Sequence, residues 1–288
     1  MIYLEFVVSL ILGISKNLVS KAGNKEFSGI GRLMSVNIIT ALAAVVIFGC
    51  QGFSFEVMND MRFVVMSVFY GLTAMAAQTF FIIGVKKGPV SVCSMIYAYC
   101  FVIPTIIIAL CFHEEIKPTW IVGMVLMIIS VFFVMKKGTT TQSGKKTYLV
   151  FAILAMCFAG SMGLLQKFFG HFYTKDLYDE FLVLSFLFVL VFSLVVKLLF
   201  RQPKEEREKA TARFFVLGIL LALSNVIANK LNLHLITVLP SVFFLPTING
   251  ATILFSAVFS HIFFKDRVTT IGWFGILVGI GALVMIVL

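Results

Sequence analysis

Apolar residues in this chain come in long unbroken runs rather than in one-sided stripes. Ten runs cover residues 2–21, 32–50, 63–85, 89–112, 118–135, 148–169, 181–200, 213–236, 240–264 and 268–288, and short polar or charged segments separate them. A helix that is apolar all round has no water-facing side, so each run reads as a segment buried in lipid. About 20 residues cross the hydrocarbon core of a bilayer, and the runs are of that length. Lipid offers no hydrogen bonds to an open backbone, which leaves helices or a closed β-barrel. Barrel strands would alternate over about ten residues, and these runs do not. The pattern predicts an all-α membrane protein with ten transmembrane helices.

The runs are also related to one another. Residues 96–135 are echoed by 248–287, 152 positions downstream. In each copy an apolar run ends in a charged knot, His113-Glu114-Glu115 or Lys265-Asp266-Arg267. A turn bearing Thr or Pro follows, and the next run carries a glycine at the matching place, Gly123 or Gly275. Such self-similarity marks a chain built from two copies of one membrane unit. The expected organisation is a first five-helix repeat at 1–138, a basic linker at 139–147 and a second five-helix repeat at 148–288. Five is odd, so the second copy must insert in the opposite sense, giving two inverted repeats.

Composition agrees with this reading. Of 288 residues 60% are hydrophobic and 12% charged, where a soluble domain carries roughly a quarter charged. A net charge of +10 would suit a nucleic-acid binder, but its placement argues against one. Lys21, Lys25, Arg32, Lys86, Lys87, Lys136, Lys137, Lys145, Lys146, Arg201, Lys204, Arg207, Lys209, Arg213, Lys265 and Arg267 follow odd-numbered spans, whereas Glu56, Asp60, Glu114, Glu115, Asp176, Asp179 and Glu180 follow even ones. Short basic loops stay in the cytoplasm, which puts both termini outside. The first run continues into Lys16, Asn17 and Lys21 without a small-residue cleavage site, and so is expected as a retained span. Cys50, Cys93, Cys100, Cys111 and Cys157 lie in or at the ends of apolar runs with no CxxC spacing. They read as small apolar packers rather than a metal or disulfide framework.

Gly84 and Gly88-Pro89 at the entry to the fourth run, Pro104 within it, and Glu114 and Glu115 followed by Gly123 form one set of short motifs; Pro240, Asp266 and Gly275 form the other. With them the chain resembles the drug/metabolite transporter superfamily in its EamA-type ten-helix form. The resemblance covers essentially the whole chain and implies fold more sharply than substrate. Two features depart from it: Asp266 stands where the family pattern has Glu, and the loop charges put the termini on the opposite side from many members.

Polar side chains at bilayer depth are costly unless paired or facing a cavity. The eighth run is the richest in them: Asn225, Asn229 and Asn232 recur at i, i+4 and i+7, one helical stripe, with Lys230 and His234 beside it. In the first run Ser9, Gly13, Lys16 or Asn17, and Ser20 recur at helical spacing, Glu5 lies one turn before Ser9, and Lys16 is too deep to be terminal. Its counterpart in the second half is the pair Gln166 and Lys167, of which Lys167 is expected to reach for the interface. Tyr97 matches Asn249 across the repeat, and Gln78 is the expected partner of the Asn stripe. The expected substrate-binding set is Lys16, Asn17, Gln78, Tyr97, Asn225, Asn229, Lys230, Asn232 and Asn249, around a cavity built from spans 1, 3, 4, 6, 8 and 9. Pro104 and Pro246 are expected as tolerated kinks, and Gly275 with Gly279 as close packing inside the bundle.

Glu5, close to an end, is the one acid inside a run, whereas Lys16 and Lys230 lie deep. That balance favours an anionic or zwitterionic solute such as an amino acid or organic acid. A multidrug or cationic-metabolite exporter coupled to protons through Glu5 is the alternative. No HExxH or GxSxG motif and no ATP-binding loop occurs, so neither an enzyme nor a pump driven by ATP is expected. The expectation is a multi-pass secondary transporter of the cell membrane working by alternating access, with export the direction the resemblance implies. It would need no cofactor or metal, would have the solute, the bilayer and a coupling ion as partners rather than nucleic acid, and would be a monomer or weak homodimer.

Overall fold

The computed structural model describes residues 2–23, 26–27, 29–50, 52–87, 90–114, 116–135, 147–200, 211–264 and 269–287. Gly88, Pro89, Glu115, Asp266 and the linker residues 139–146 lie outside the described residues, as do Lys25, Lys136, Lys137, Lys145, Lys146, Arg201, Lys204, Arg207, Lys209, Lys265 and Arg267.

Apolar runs with nothing to bond but themselves become helices, and no strand occurs among the described residues. The segments are α1 (Ile2–Ala22), α2 (Ile30–Gly49), α3 (Met61–Lys87), α4 (Val90–Ala98), α5 (Val102–Cys111), α6 (Pro118–Met135), α7 (Thr147–Phe172), α8 (Tyr178–Leu199), α9 (Ala212–Val238), α10 (Ser241–Phe264) and α11 (Thr270–Val287). Seven helices, α1 to α3 and α7 to α10, are long and apolar enough to cross a membrane by length and composition. The apolar helical stretches 96–111, 118–134 and 270–286 are shorter.

The fourth run departs from its expectation of a single span. It is two helices, α4 and α5, joined by a 3-10 turn at Tyr99–Phe101. Pro104 supplies the reason: it has no N–H for the carbonyl of Cys100, and its ring crowds that oxygen. The carbonyl points instead at Gly160 of α7, where an added Cβ would lie 2.6 Å from it. Pro246 does not break its helix; α10 runs through it.

Helices pair across the halves in a regular way. α1 packs along α9 and α3 along α7, while α2 lies on α8 and α6 on α11. The α6–α11 seam is reciprocal. A Cβ on Gly123 would sit 3.0 Å from the carbonyl of Ala282 and 3.2 Å from the nitrogen of Ile286; one on Gly275 would sit 3.0 Å from the carbonyl of Ser130 and 2.8 Å from the nitrogen of Val134. Each glycine is thus the place where the partner's backbone comes closest, as small residues allow in lipid. Gly279 packs on Leu254 and Ser130, so the glycine pair is used inside the bundle.

Two apolar cores flank the middle. One stacks Phe63, Phe169 and Phe181 among α2, α3, α7 and α8, with the Phe169 and Phe181 rings 3.9 Å apart. The other gathers Phe101, Ile108, Met127, Phe244 and Ile248 from α5, α6 and α10. α1 packs on α9 and α10, and of its residues only Ser9 and Ile14 are buried.

Candidate functional site

α1 is fastened to the bundle by polar contacts spaced one turn apart. Ser9 donates to Asn232 Oδ1 at 2.6 Å, Lys16 Nζ to Asn225 Oδ1 at 2.9 Å, and Asn17 Nδ2 to Ser256 Oγ at 3.0 Å. Gly13 sits between, with an added Cβ only 3.0 Å from the Thr252 hydroxyl. Lys21 closes the row on the Ser260 hydroxyl and over the Phe264 ring. Helical spacing explains the row: the polar positions of α1 fall on one face, and that face meets α9 and α10.

Lys16 is the centre of this site. It lies deep in the bundle with protein on all sides, yet its side chain is exposed, and so is Asn17. The exposure leaves the ammonium accessible beside its bond to Asn225. Cys100, at the break between α4 and α5, lies within electrostatic range of Lys16 and of Tyr97. Lys16 has no acidic partner among the described residues. An accessible cation held by an amide oxygen is suited to receive an anionic group.

The other predicted residues divide into two groups. Tyr97 stands on the same wall, its ring 5.0 Å from Phe81. Asn249 donates to the Leu245 carbonyl of its own helix at 2.9 Å. Asn229 has both polar atoms engaged: Oδ1 accepts from the Tyr70 hydroxyl at 2.6 Å, and Nδ2 donates to the Asn225 carbonyl at 2.7 Å. Lys230 is ion-paired with Asp179 at 2.8 Å, so its charge is balanced. α3 reaches the Asn stripe through Tyr70 rather than through Gln78, whose Oε1 is buried with no hydrogen-bond partner. Gln166 of α7 donates to the same Tyr70 hydroxyl at 3.2 Å. Tyr70 is a polar group at depth that local sequence did not single out.

A second polar layer lies at the end of the bundle where α5, α7 and α9 finish. Glu5 meets His234 at 2.5 Å. Lys167 pairs with Glu114 at 2.9 Å, donates to the Leu239 carbonyl at 3.4 Å and lies over the Phe112 ring. It is therefore tied within the protein, not reaching for the interface as expected. Glu114 also accepts from the backbone and hydroxyl of Ser241, at 2.8 and 2.6 Å. It is aimed there by His113, whose φ of 48° turns the chain sharply after α5. Glu114 and Lys167 line a cavity of about 320 Å³ with Trp120, Thr237, Leu239 and Pro240. Further out, Tyr173 donates to Asp60 at 2.6 Å. That bond holds the Asp60 carboxyl below its ordinary range, and burial with the neighbouring carboxylate pushes the Tyr173 phenol up to about 12.

An all-helical bundle of long apolar segments with a polar middle defines a multi-span membrane protein. The sequence model of the EamA-like transporter family matches residues 146–288, consistent with the drug/metabolite transporter superfamily. No curated protein matches the sequence. A solved crystal structure, described only as that of a protein, superposes with a TM-score of 0.77 over 98% of this chain and 96% of the other, at 10% sequence identity. It shows that the fold is shared along the whole length.

Proposed function

We propose that this protein is a secondary transporter of the cell membrane that carries a small anionic or zwitterionic metabolite, such as an amino acid or organic acid, through a cavity centred on Lys16. The observation that carries the reading is that Lys16 is deep, exposed and without an acid beside it. Asn17, Asn225, Tyr97 and Asn249 would complete the solute's hydrogen bonds. Asn229, Asn232, Lys230 and Gln78 hold that wall in place.

Two inverted five-helix repeats, 1–138 and 148–288, are supported by the pairing of α1 with α9, α3 with α7 and α6 with α11, and by the reciprocal glycines. Rocking of the halves about the site then gives alternating access. A solute gradient or a coupled ion supplies the energy, export is the direction the family implies, and the protein acts as a monomer or weak homodimer. Glu5, the centre of the rival cation-exporter reading, is engaged with His234, which favours the anion site.

The test is thermal unfolding of the purified protein against carboxylates, zwitterions and lipophilic cations, since a ligand that binds the fold stabilises it by mass action. A carboxylate-bearing compound should raise the Tm of the wild type and not of Lys16→Met. A lipophilic cation that stabilises both, and fails only with Glu5→Gln, overturns the reading.

A further inference from the structure

We propose that Tyr70 couples the Lys16 site to the cavity around Lys167 and Glu114. A run of hydrogen bonds, bridged covalently within Asn225 and between Gln166 and Lys167, joins them. Lys16 Nζ donates to the Asn225 side chain at 2.9 Å, and the Asn225 carbonyl accepts from Asn229 Nδ2 at 2.7 Å. Asn229 Oδ1 accepts from the Tyr70 hydroxyl at 2.6 Å, and that hydroxyl accepts from Gln166 Nε2 at 3.2 Å. The next residue is Lys167, bound to Glu114 and to the Leu239 carbonyl. The path crosses α1, α9, α3 and α7 and so joins both halves of the chain.

Tyr70 is the narrowest point of that path, because its single hydroxyl serves α9 as donor and α7 as acceptor. It is also held rigidly. The side chain is 1% exposed, and its ring stands edge-on to Phe181 at 5.5 Å, which in turn stacks on Phe169 of α7. A hydroxyl that cannot move away must transmit a shift of Asn229 to Gln166 or lose one of two buried bonds. Coupling of this kind needs an element that both sites bias. Here that element is the seating of α7 against α3 and α9. When an anion draws Lys16 off Asn225, α9 loses one of its polar ties to α1, beside Ser9–Asn232 and Glu5–His234, and the strain passes through Tyr70 to α7 and its lysine.

The purpose assigned to this path rests on the transport reading, but its existence can be tested without a solute. In a full chain whose five native cysteines are alanine, Thr237→Cys places a thiol on the wall of the 320 Å³ cavity. Its reaction rate with a charged methanethiosulfonate is measured in detergent. Lys16→Met and Tyr70→Phe should each change that rate, by roughly 2- to 30-fold, and in the same direction. The double variant should change it no more than either single one. Gln166→Leu, which cuts the last link, should reproduce the effect should Tyr70→Phe fold poorly. Tyr99→Phe removes a hydroxyl bond to the Ile128 carbonyl that is off the path and should leave the rate alone. Additive effects, an unchanged rate in Lys16→Met, or an equal change in Tyr99→Phe overturns the coupling. None of these outcomes depends on which solute is carried.

Discussion

At the residue scale the decisive contrast is between two lysines that sequence made look alike. Lys16 and Lys230 both sit deep in apolar runs, but Lys230 is balanced by Asp179 while Lys16 has an amide. Hydrogen bonds to a charged group are worth about 1.5–3 kcal/mol. Lys16→Met should therefore weaken an anionic solute by roughly 10- to 150-fold, read by isothermal titration, while a neutral analogue binds equally to both proteins. Lys230→Met should instead lower stability, since it leaves Asp179 a half-buried carboxylate without its ion partner, with affinity little changed. Loss of affinity in Lys230→Met with Lys16→Met silent would exchange the two roles. At the rim, the Tyr173–Asp60 bond has a readable pH dependence. A depressed carboxyl stabilises above its unfolded pKa, near 3.9 for an ordinary Asp, and that contribution fades as pH falls through the lower folded value. The raised phenol holds its proton until pH nears 12. The Tm difference between wild type and Tyr173→Phe should thus persist from mildly acidic to alkaline pH and shrink in strong acid. A difference that grows on acidification contradicts the assignment.

At the scale of elements, the all-helical class and the places of the helices were legible because an all-round apolar run has one solution in lipid, while the count was not, since seven of the eleven described α-helices are long and apolar enough to cross a membrane. The Asn stripe and the α1 face were legible for the same reason: polar residues at helical spacing stand out in such runs. Three further things were not. The break at Tyr99–Phe101 follows from how Pro104 and Gly160 meet, which needs two distant helices at once. The pairings of Lys167 with Glu114 and Lys230 with Asp179 join residues far apart in sequence. Tyr70, flanked by Phe69 and Gly71 in an apolar run, carries no local sign that separates a packed tyrosine from one holding two amides. The glycines give an element-scale prediction. Gly275→Ala forces a Cβ onto the α6 backbone at 2.8 Å, and overpacking of this kind costs about 1–3 kcal/mol. Gly31→Ala meets open space and gains helix propensity, up to about 1 kcal/mol. Thermal unfolding in detergent should show a lowered Tm for the first and an equal or higher one for the second; equal Tm values would remove the close α6–α11 contact.

For the whole molecule, the question is whether the two five-helix halves proposed above face opposite ways. Successive helices reverse direction, so the Ser54 loop and the Lys167–Glu114 cavity share one end of the bundle, and the ends of α1 and α3 share the other. Described cations at that second end include Lys21, Arg32, Lys197 and Arg213, while Glu56, Asp60, Asp176, Asp179 and Glu180 lie at the first. Translocation keeps short basic loops in the cytoplasm, so the charged cavity should open outward and the basic end inward. A cysteine at Ser54 should then react with an impermeant maleimide in intact cells, and one at Gln142 in the linker only after permeabilisation. The reverse labelling would keep the fold and invert the direction in which the Lys16 site opens first. Labelling of both positions from the same side would be fatal to the inverted repeat, because a five-helix first half cannot return its linker to the side of its second loop.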